Sequence, residues 1–251
     1  MSAPAGDADT AGAASRPWAG QQASAAPAPR IAVVDYGMGN RRSVEKALER
    51  VGARAFVTRE HGELRAADGL LLPGVGAFPA AMATIRELGL DELLRERAAA
   101  GVPLFGSCMG MQLLFERSEE HGGAEGLGLL EGEVRRLRAP GLKLPHIGWS
   151  EVRWRDAGCA LSAGLPDPSF LYHVHSFVAE PRDPTVVLAS AEYGECFPAV
   201  VGRDNVFGAQ SHPEKSSTHG LALLGNFVGF CAAAARGERS SSEPCGLRAA
   251  S

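Results

Sequence analysis

The 251-residue sequence has no uninterrupted apolar stretch long enough to cross a membrane, which takes about 18 to 20 residues. The nearest segment, Leu221 to Ala235, contains Asn226 and two glycines, so we interpret it as a packed helix and expect no membrane partner. An excess of basic residues is also missing, because 25 Lys and Arg stand against 29 Asp and Glu, for a net charge of −4. This charge disfavours a nucleic-acid partner recognised through electrostatic attraction.

Cysteine is scarce and irregularly spaced. The five cysteines, at positions 108, 159, 196, 231 and 245, are odd in number and form no C-x-x-C pair. Such spacing fits neither a disulfide framework nor a zinc module. We therefore expect a reducing, cytoplasmic compartment.

Composition divides the chain into one domain and two tails. Residues 1–29 contain 11 Ala, 4 Pro, 3 Gly and 3 Ser, so they have too little apolar surface to offset the entropy of ordering. Residues 236–251 are rich in Ser and in charged residues. We expect both segments to be disordered tails and residues 30–235 to form the domain.

In the first half of the domain, short apolar runs alternate with helical patterns. This alternation predicts an α/β fold with a mostly parallel central sheet flanked by helices. The predicted strands are at 31–35, 54–57, 69–74 and 103–106, and the predicted helices are at 43–51, 79–88 and 91–99. After residue 130 the pattern predicts additional antiparallel strands, at 134–138, 150–154, 170–177, 186–192, 199–203 and 205–210, before a last helix at 219–235.

The segment Gly106 to Gly110, Gly-x-Cys-x-Gly, lies between an apolar strand and apolar residues at helical spacing. It has the form of a nucleophile elbow, a sharp strand-to-helix turn that strains its central residue and needs glycine two positions to either side. Cys108 would then lie at a helix N-terminus, where partial positive charge favours the thiolate. A buried structural cysteine is the alternative interpretation.

A thiol nucleophile needs a base, and His212-Pro213-Glu214 offers one after a predicted strand. In an extended chain the side chains of His212 and Glu214 leave on the same face, and Pro213 keeps its predecessor extended. Glu214 would then orient His212 toward the thiol, as in a catalytic triad. Taken alone, this motif is also compatible with a surface loop.

A glycine-rich turn, Pro73 to Phe78, follows another predicted strand. Its backbone N–H groups could face an oxyanion, with the Met109 N–H completing the pair. A phosphate cradle and a plain βα turn are the alternatives, although the spacing matches neither Gly-x-Gly-x-x-Gly nor the P-loop.

Three histidines and a tryptophan have open interpretations. His173 and His175 share one face of a predicted strand, but no further ligand stands at a supporting spacing, so core or site-lining histidines are favoured over a metal site. His146 could face a cleft or a partner. Trp149 is either a core anchor or an exposed interface aromatic.

Together these segments resemble the class I, triad-type glutamine amidotransferase family, and within it the amidotransferase subunits of imidazole glycerol phosphate synthases. The resemblance rests on six blocks in one order between residues 31 and 230: DYGMGN (35–40), PGVGAF (73–78), GMQLLF (110–115), PHIGW (145–149), VHS (174–176) and HPEKS (212–216). It implies a flavodoxin-like sheet and hydrolysis of glutamine through a cysteine thioester, without a metal or cofactor. The ammonia would pass to a barrel-shaped cyclase subunit in a heterodimer.

The resemblance also implies a role for each matched residue. Cys108 would be the nucleophile, His212 the base and later the acid, and Glu214 the orienting group. The amides of Val75 and Met109 would form the oxyanion hole. Glutamine would be held by Gly74, Gly76, Gln112, Glu120, His175 and Ser176, and the cyclase subunit would be contacted by Asn40, Trp149 and Lys215.

Two departures and two alternatives remain. Ser107 and Ser211 stand beside members of the triad where the family commonly has an aliphatic residue and Phe, respectively. How tightly the pocket is packed therefore does not follow from the resemblance.

One alternative function is that of another class I amidotransferase or a glutamyl hydrolase. The other is a non-catalytic scaffold of the same fold that binds a partner.

Overall fold

The computed structural model describes residues 27–155 and 159–238. The expected tails, 1–29 and 236–251, therefore lie almost wholly outside the described residues, and their expected disorder stays a prediction. Helices and strands run from Arg30 to Ala235, and the division into one domain and two tails stays a prediction.

In the first half, short buried strands alternate with helices, as predicted. Every residue of the third strand is buried, as expected for a parallel strand covered on both faces. A five-residue second helix was missed, because so short a segment shows no clear periodicity. The elements are β1 (Arg30–Val34), α1 (Arg41–Arg50), β2 (Arg54–Thr58), α2 (His61–Arg65), β3 (Gly69–Gly74), α3 (Phe78–Glu87), α4 (Leu90–Ala99) and β4 (Leu104–Cys108).

The second half is mostly strands. Its elements are α5 (Met109–Gln112), β5 (Phe115–Ser118), β6 (Ala124–Glu125), β7 (Leu130–Arg136), β8 (His146–Trp154), β9 (Ser169–His175), β10 (Phe177–Pro181), β11 (Val187–Tyr193), β12 (Glu195–Arg203), β13 (Val206–Ala209) and α6 (Ser217–Ala235).

Two expectations about this half are wrong. The single strand predicted at 170–177 divides at Ser176, because β9 pairs with β8 in one sheet and β10 pairs with β7 in another. The helix after Cys108 is a single turn that ends at Gln112. Any electrostatic effect on the thiol therefore comes from the N–H groups of one turn rather than from a long helix dipole.

The strands form a nine-stranded sheet in the order β2-β1-β3-β4-β13-β12-β11-β8-β9 and a four-stranded sheet in the order β10-β7-β5-β6. From β2 to β13 the large sheet is parallel, and from β13 to β9 it is antiparallel. The carboxyl ends of β3, β4 and β13 therefore meet at one edge. In open α/β sheets this edge is where ligands bind.

Helix α6 is long and apolar enough, by length and composition alone, to cross a membrane. Core helices pass the same test, and the buried side chains of α6 include Leu223, Leu224 and Phe227, which belong to the core on one side of the large sheet. The interpretation of this segment as a packed helix is confirmed.

Three of the described cysteines are free, namely Cys108, Cys196 and Cys231. Cys159 is disulfide-bonded, although the irregular spacing of the five cysteines fits no disulfide framework. Spacing along the chain does not report which cysteines meet in space.

We predict that Gly110→Ala strongly destabilises the fold. A Cβ at Gly110 would lie 1.9 Å from the carbonyl oxygen of Leu72, and β3 is held between β1 and β4, so neither backbone can move aside cheaply. We expect a loss of about 1–3 kcal/mol or more, measured by thermal unfolding followed by circular dichroism.

Gly229→Ala is the matched control. Nothing lies within 4 Å of a Cβ added at this helical glycine, and alanine is better than glycine in a helix by about 0.5–1 kcal/mol. Equal melting temperatures for the two variants would show that the close approach of the elbow to β3 contributes nothing to the stability of the fold.

Candidate active site

Cys108 lies at the carboxyl end of β4 in the strained conformation that the elbow predicts. Its φ is 55° and its ψ is −116°, a combination that costs a non-glycine residue about 1–3 kcal/mol. The thiol lies 3.7 Å from the carbonyl oxygen of Val174, and the residue is only 5% exposed. The surrounding fold therefore holds the thiol in a fixed position at the edge of the sheet.

His212 and Glu214 are paired as predicted, but the local backbone differs from the expectation. His212 Nδ1 lies 2.9 Å from Glu214 Oε1, and both side chains are buried. His212 is extended, whereas Pro213 to Lys215 form a 3-10 helix. The contact thus results from a turn rather than from the face of a strand.

A closed set of hydrogen bonds fixes the segment that carries His212. The backbone N–H of His212 donates to the carbonyl of Tyr172 at 2.8 Å. The N–H of Tyr172 donates to Ser216 Oγ at 2.9 Å, and that hydroxyl donates to the carbonyl of His212 at 2.7 Å. Sequence reasoning gave Ser216 no role, although it lies in the matched HPEKS block.

The electrostatics favour a charged His212. Burial lowers the pKa of the imidazole, but hydrogen bonds with Cys108 and Glu214 and the negative charges of both groups outweigh burial and raise the pKa to about 9. The resulting arrangement is a carboxylate, an imidazole and a thiol in one row. It can hold an imidazolium beside a thiolate, which is the nucleophilic form of cysteine.

The triad opens into a cavity of about 330 Å³, a typical size for a small-molecule site. Most of the predicted site residues line it: Val75, Gly76, Cys108, Met109, Gln112, Glu120, His175, Ser176, His212 and Lys215, together with Pro145, Val174 and Phe177. Lys215, predicted as a partner contact, is part of the cavity wall. The separate blocks of the sequence are thus brought to one place.

Two predicted site residues lie behind the lining. Glu214 reaches the site only through His212. Gly74 packs against the elbow, where a Cβ would lie 2.5 Å from the N atom of Gly110. Gly74 thus permits close approach of β3 to the elbow and is not among the lining residues.

Two polar residues of the cavity are held by internal hydrogen bonds. Gln112 Nε2 donates to the carbonyl of Phe177 at 2.9 Å and to Gln210 Oε1 at 3.1 Å. Glu120 Oε2 accepts from the N–H of Phe78 at 2.7 Å, which ties it to the end of the glycine-rich turn. Both side chains are therefore oriented before any ligand binds.

His146, His173 and His175 form a buried cluster on the inner side of β8 and β9, with ring centroids 5.3 to 5.5 Å apart. Nδ1 of His173 and of His175 each lies near a backbone carbonyl, of Leu171 and Phe177. Burial lowers the pKa of all three, that of His173 to about 3. His173 is thus a core histidine and His175 a site-lining one, whereas His146, for which a cleft or a partner was considered, is buried beside them.

Metal binding has no support in residues 27–155 and 159–238, where no group of three or more His, Cys, Asp or Glu could hold an ion. The two serines beside the triad that depart from the family pattern, Ser107 and Ser211, are buried. The hydroxyl of Ser211 has no hydrogen-bond partner among the described residues.

The opposite side of β8 and β9 carries an exposed apolar surface. Ile147 is 61% exposed, Trp149 is 52% exposed and Phe170 is 45% exposed. The rings of Trp149 and Tyr172, paired across the strands, are 5.9 Å apart. Trp149 is thus an exposed aromatic and not a core anchor. Asn40 lies elsewhere, directly before α1, and is half-buried.

We predict that Cys108→Ala lowers the pKa of His212, because it removes one hydrogen bond and one negative charge that raise it. Titration of the histidine side chains by NMR measures the change, and Cys231→Ala, which removes another buried free thiol, is the control. An unchanged pKa of His212 in Cys108→Ala would contradict the pairing of imidazole and thiol.

The same pKa implies a dependence of stability on pH. The pKa of about 9 in the folded chain exceeds the ordinary histidine value of 6.5, so protonated His212 stabilises the fold fully below about pH 6.5. That contribution is lost as the pH rises through about 9.

Comparison with known proteins agrees with this geometry. The sequence profile of the family "Glutamine amidotransferase class-I" matches residues 32–229. The imidazole glycerol phosphate synthase subunit HisH of Moorella thermoacetica is 52% identical over 197 residues, which are 78% of this chain and 93% of that protein. The HisH subunit of Bacillus cereus is 51% identical over 199 residues, which are 79% of this chain and 94% of that protein.

Solved structures show the same fold. A crystal structure of a glutamine amidotransferase is 25% identical, with a TM-score of 0.64, and the match covers 80% of this chain and 98% of that one. The structure of PurLQS from Thermotoga maritima has a TM-score of 0.65 at 20% identity, covering 80% of this chain and 98% of that one. The chain belongs to the class I glutamine amidotransferase family and, within it, to the HisH subunits of imidazole glycerol phosphate synthase.

Proposed function

We propose that this chain is the glutaminase of an imidazole glycerol phosphate synthase and releases ammonia from glutamine for histidine biosynthesis. The observation that carries the proposal is the row of Cys108, His212 and Glu214, of which Cys108 and His212 line one cavity. The similarity to HisH subunits supports the pathway. This role is consistent with the cytoplasm as the compartment.

In the first step, the thiolate of Cys108 attacks the side-chain amide carbon of glutamine. The carbonyl oxygen takes up negative charge, which the N–H groups of Val75 and Met109, both in the cavity wall, would stabilise. Imidazolium His212 donates its proton to the amide nitrogen. The C–N bond breaks, ammonia leaves, and a thioester to Cys108 remains.

In the second step, neutral His212 removes a proton from water, and the resulting hydroxide attacks the thioester carbon. The C–S bond breaks, glutamate leaves and the thiolate of Cys108 is restored, with His212 again protonated. Glu214 stabilises the positive imidazole throughout and does not itself transfer a proton.

Glutamine binding is assigned to the polar cavity residues. The carboxylate of Glu120 suits the α-ammonium group, and the internal hydrogen bonds of Gln112 and Glu120 hold both side chains in position. Gly76, with a φ of 99°, leaves room for the backbone of the turn to approach the substrate. His175 and Ser176 line the same cavity, while Gly74 contributes by packing.

The partner is proposed to be the barrel-shaped cyclase subunit, bound as a heterodimer. The exposed apolar surface of Ile147, Trp149 and Phe170 has the aromatic character of an interface centre. Lys215, which lines the cavity, and Asn40 are further proposed contacts. Ammonia has to reach the partner unprotonated, because only the neutral form is a nucleophile.

We predict that Cys108→Ala abolishes glutamate release, because no other group can form the thioester. Glutamate is measured for the purified chain alone, and then with the cyclase subunit and its nucleotide ligand. Cys196→Ala, which removes an exposed free thiol, is expected to retain wild-type activity.

The outcomes separate the alternatives. Weak release by the wild type alone that rises strongly in the complex supports the whole proposal. Strong release that is indifferent to the cyclase points to another class I amidotransferase or a glutamyl hydrolase. No release under either condition leaves a non-catalytic scaffold.

We predict that Trp149→Ala weakens binding of the cyclase subunit while the triad stays intact. An interface tryptophan typically contributes about 2 kcal/mol or more, which corresponds to about a 30-fold rise in Kd. Binding is measured by calorimetry. Arg117→Ala, on the separate four-stranded sheet and 64% exposed in its side chain, is the control, and equal Kd values for the two variants would exclude Trp149 from the interface.

A further inference from the structure

Tyr36 is a buried side chain that the mechanism above does not use. It follows β1, is only 1% exposed, and its hydroxyl donates to the carbonyl oxygen of Pro73 at 2.7 Å. Pro73 begins the glycine-rich turn whose residues Val75 and Gly76 line the cavity. A buried hydroxyl on this carbonyl therefore acts on the backbone of the proposed oxyanion hole.

The hydrogen bond from Tyr36 to Pro73 lies at the end of β3, where β3 no longer pairs with β1. The ladder between β1 and β3 ends at the pair Val33 and Leu71. On the other side, β4 continues to pair as far as Gly74 and Cys108. On the β1 side no strand pairs with Pro73, and its carbonyl oxygen accepts a hydrogen bond from Tyr36 instead. Pro73 itself has no N–H to donate.

The loop that carries Tyr36 also covers the turn through direct packing. A Cβ at Gly39, where φ is 105°, would lie 3.1 Å from Cβ of Pro73, and Met38 Sδ lies 4.0 Å from the corresponding position at Gly76. Asp35 fixes the start of this loop, because it accepts from the N–H of Gly37 and pairs with Arg41 and Arg59.

The hydroxyl remains a donor over the working pH range. Burial raises the pKa of Tyr36, and the negative charge of Cys108 raises it further, so the phenol stays protonated. Tyr36 does not line the cavity, so its link to the site is the hydrogen bond to the carbonyl of Pro73.

We propose that Tyr36 is a positioning residue: its hydroxyl fixes the Pro73 carbonyl, and through it holds the Gly74–Gly76 backbone where the Val75 N–H meets the oxyanion. The inference rests on the proposed glutaminase function. A donor aimed at charge that develops only in the transition state acts on kcat more than on KM. A displacement of the Val75 N–H by a fraction of a hydrogen-bond length lowers the reaction rate, while the substrate still binds.

The test is Tyr36→Phe, which removes one oxygen and keeps the ring. Tyr193→Phe is the matched control, since the Tyr193 hydroxyl donates to another backbone carbonyl, that of Lys143, at 2.8 Å. Glutaminase kinetics are measured in the complex with the cyclase subunit and its nucleotide ligand. The rate of Cys108 alkylation by iodoacetamide is measured as well, because this displacement forms no oxyanion.

We expect kcat to fall about 10-fold or more in Tyr36→Phe, with KM and the alkylation rate within twofold of the wild type. The proposal is overturned if kcat matches that of Tyr193→Phe, or if kcat and alkylation fall together, since Tyr36 would then act on the thiol or on folding. A wild-type complex that releases no glutamate overturns the proposed function itself, and this inference with it.

A second variant keeps the test decisive if Tyr36→Phe does not fold. Gly39→Ala leaves the hydroxyl in place but pushes the loop against Pro73, 3.1 Å from the added Cβ. It is expected to give the same fall in kcat at unchanged alkylation rate, and wild-type kinetics in this variant would overturn the role of the loop.

Discussion

The close approach of the elbow to β3 is the constraint on which the site depends. Gly110 comes so near to Leu72 that no side chain fits between them, and the same approach forces the reversal at Cys108, with its φ of 55°. A strained residue of this kind persists only when its surroundings over-determine it. Here β3 lies on one side and β13 on the other, so the strain at the nucleophile is supported by the centre of the sheet.

This constraint explains which parts of the site could be predicted from the sequence. Gly106, Cys108 and Gly110 are local, and their spacing alone indicated a strained turn, which the structure confirms. His212 and Glu214 are also local to each other, although a 3-10 turn brings them together instead of an extended strand. The insertion of β13 between β4 and β12 joins residues about 100 positions apart, and no periodicity in the chain encodes that pairing.

Two elements were predicted wrongly for the same reason, since local sequence patterns do not encode which distant strands pair. The run at 170–177 suggests one strand because it contains no Gly, Pro, Asp or Asn to mark a break, but Ser176 is the point where the chain leaves one sheet for another. The segment after Cys108 suggests a longer helix because the apolar residues Met111, Leu114 and Phe115 have helical spacing. The helix ends at Gln112, and Phe115 already belongs to β5.

The two supports of the site share one physical form. Ser216 donates to the carbonyl of His212, and Tyr36 donates to the carbonyl of Pro73. Each is a buried hydroxyl bound to a backbone carbonyl that no strand pairs with on that side: His212 lies beyond the end of β13, and Pro73 lies beyond the last pair between β3 and β1. A strand can end in an active site only if its final carbonyl groups stay paired once they are shielded from water. Side-chain hydroxyls satisfy these groups from outside the sheet, and the face toward the cavity is left free for the substrate.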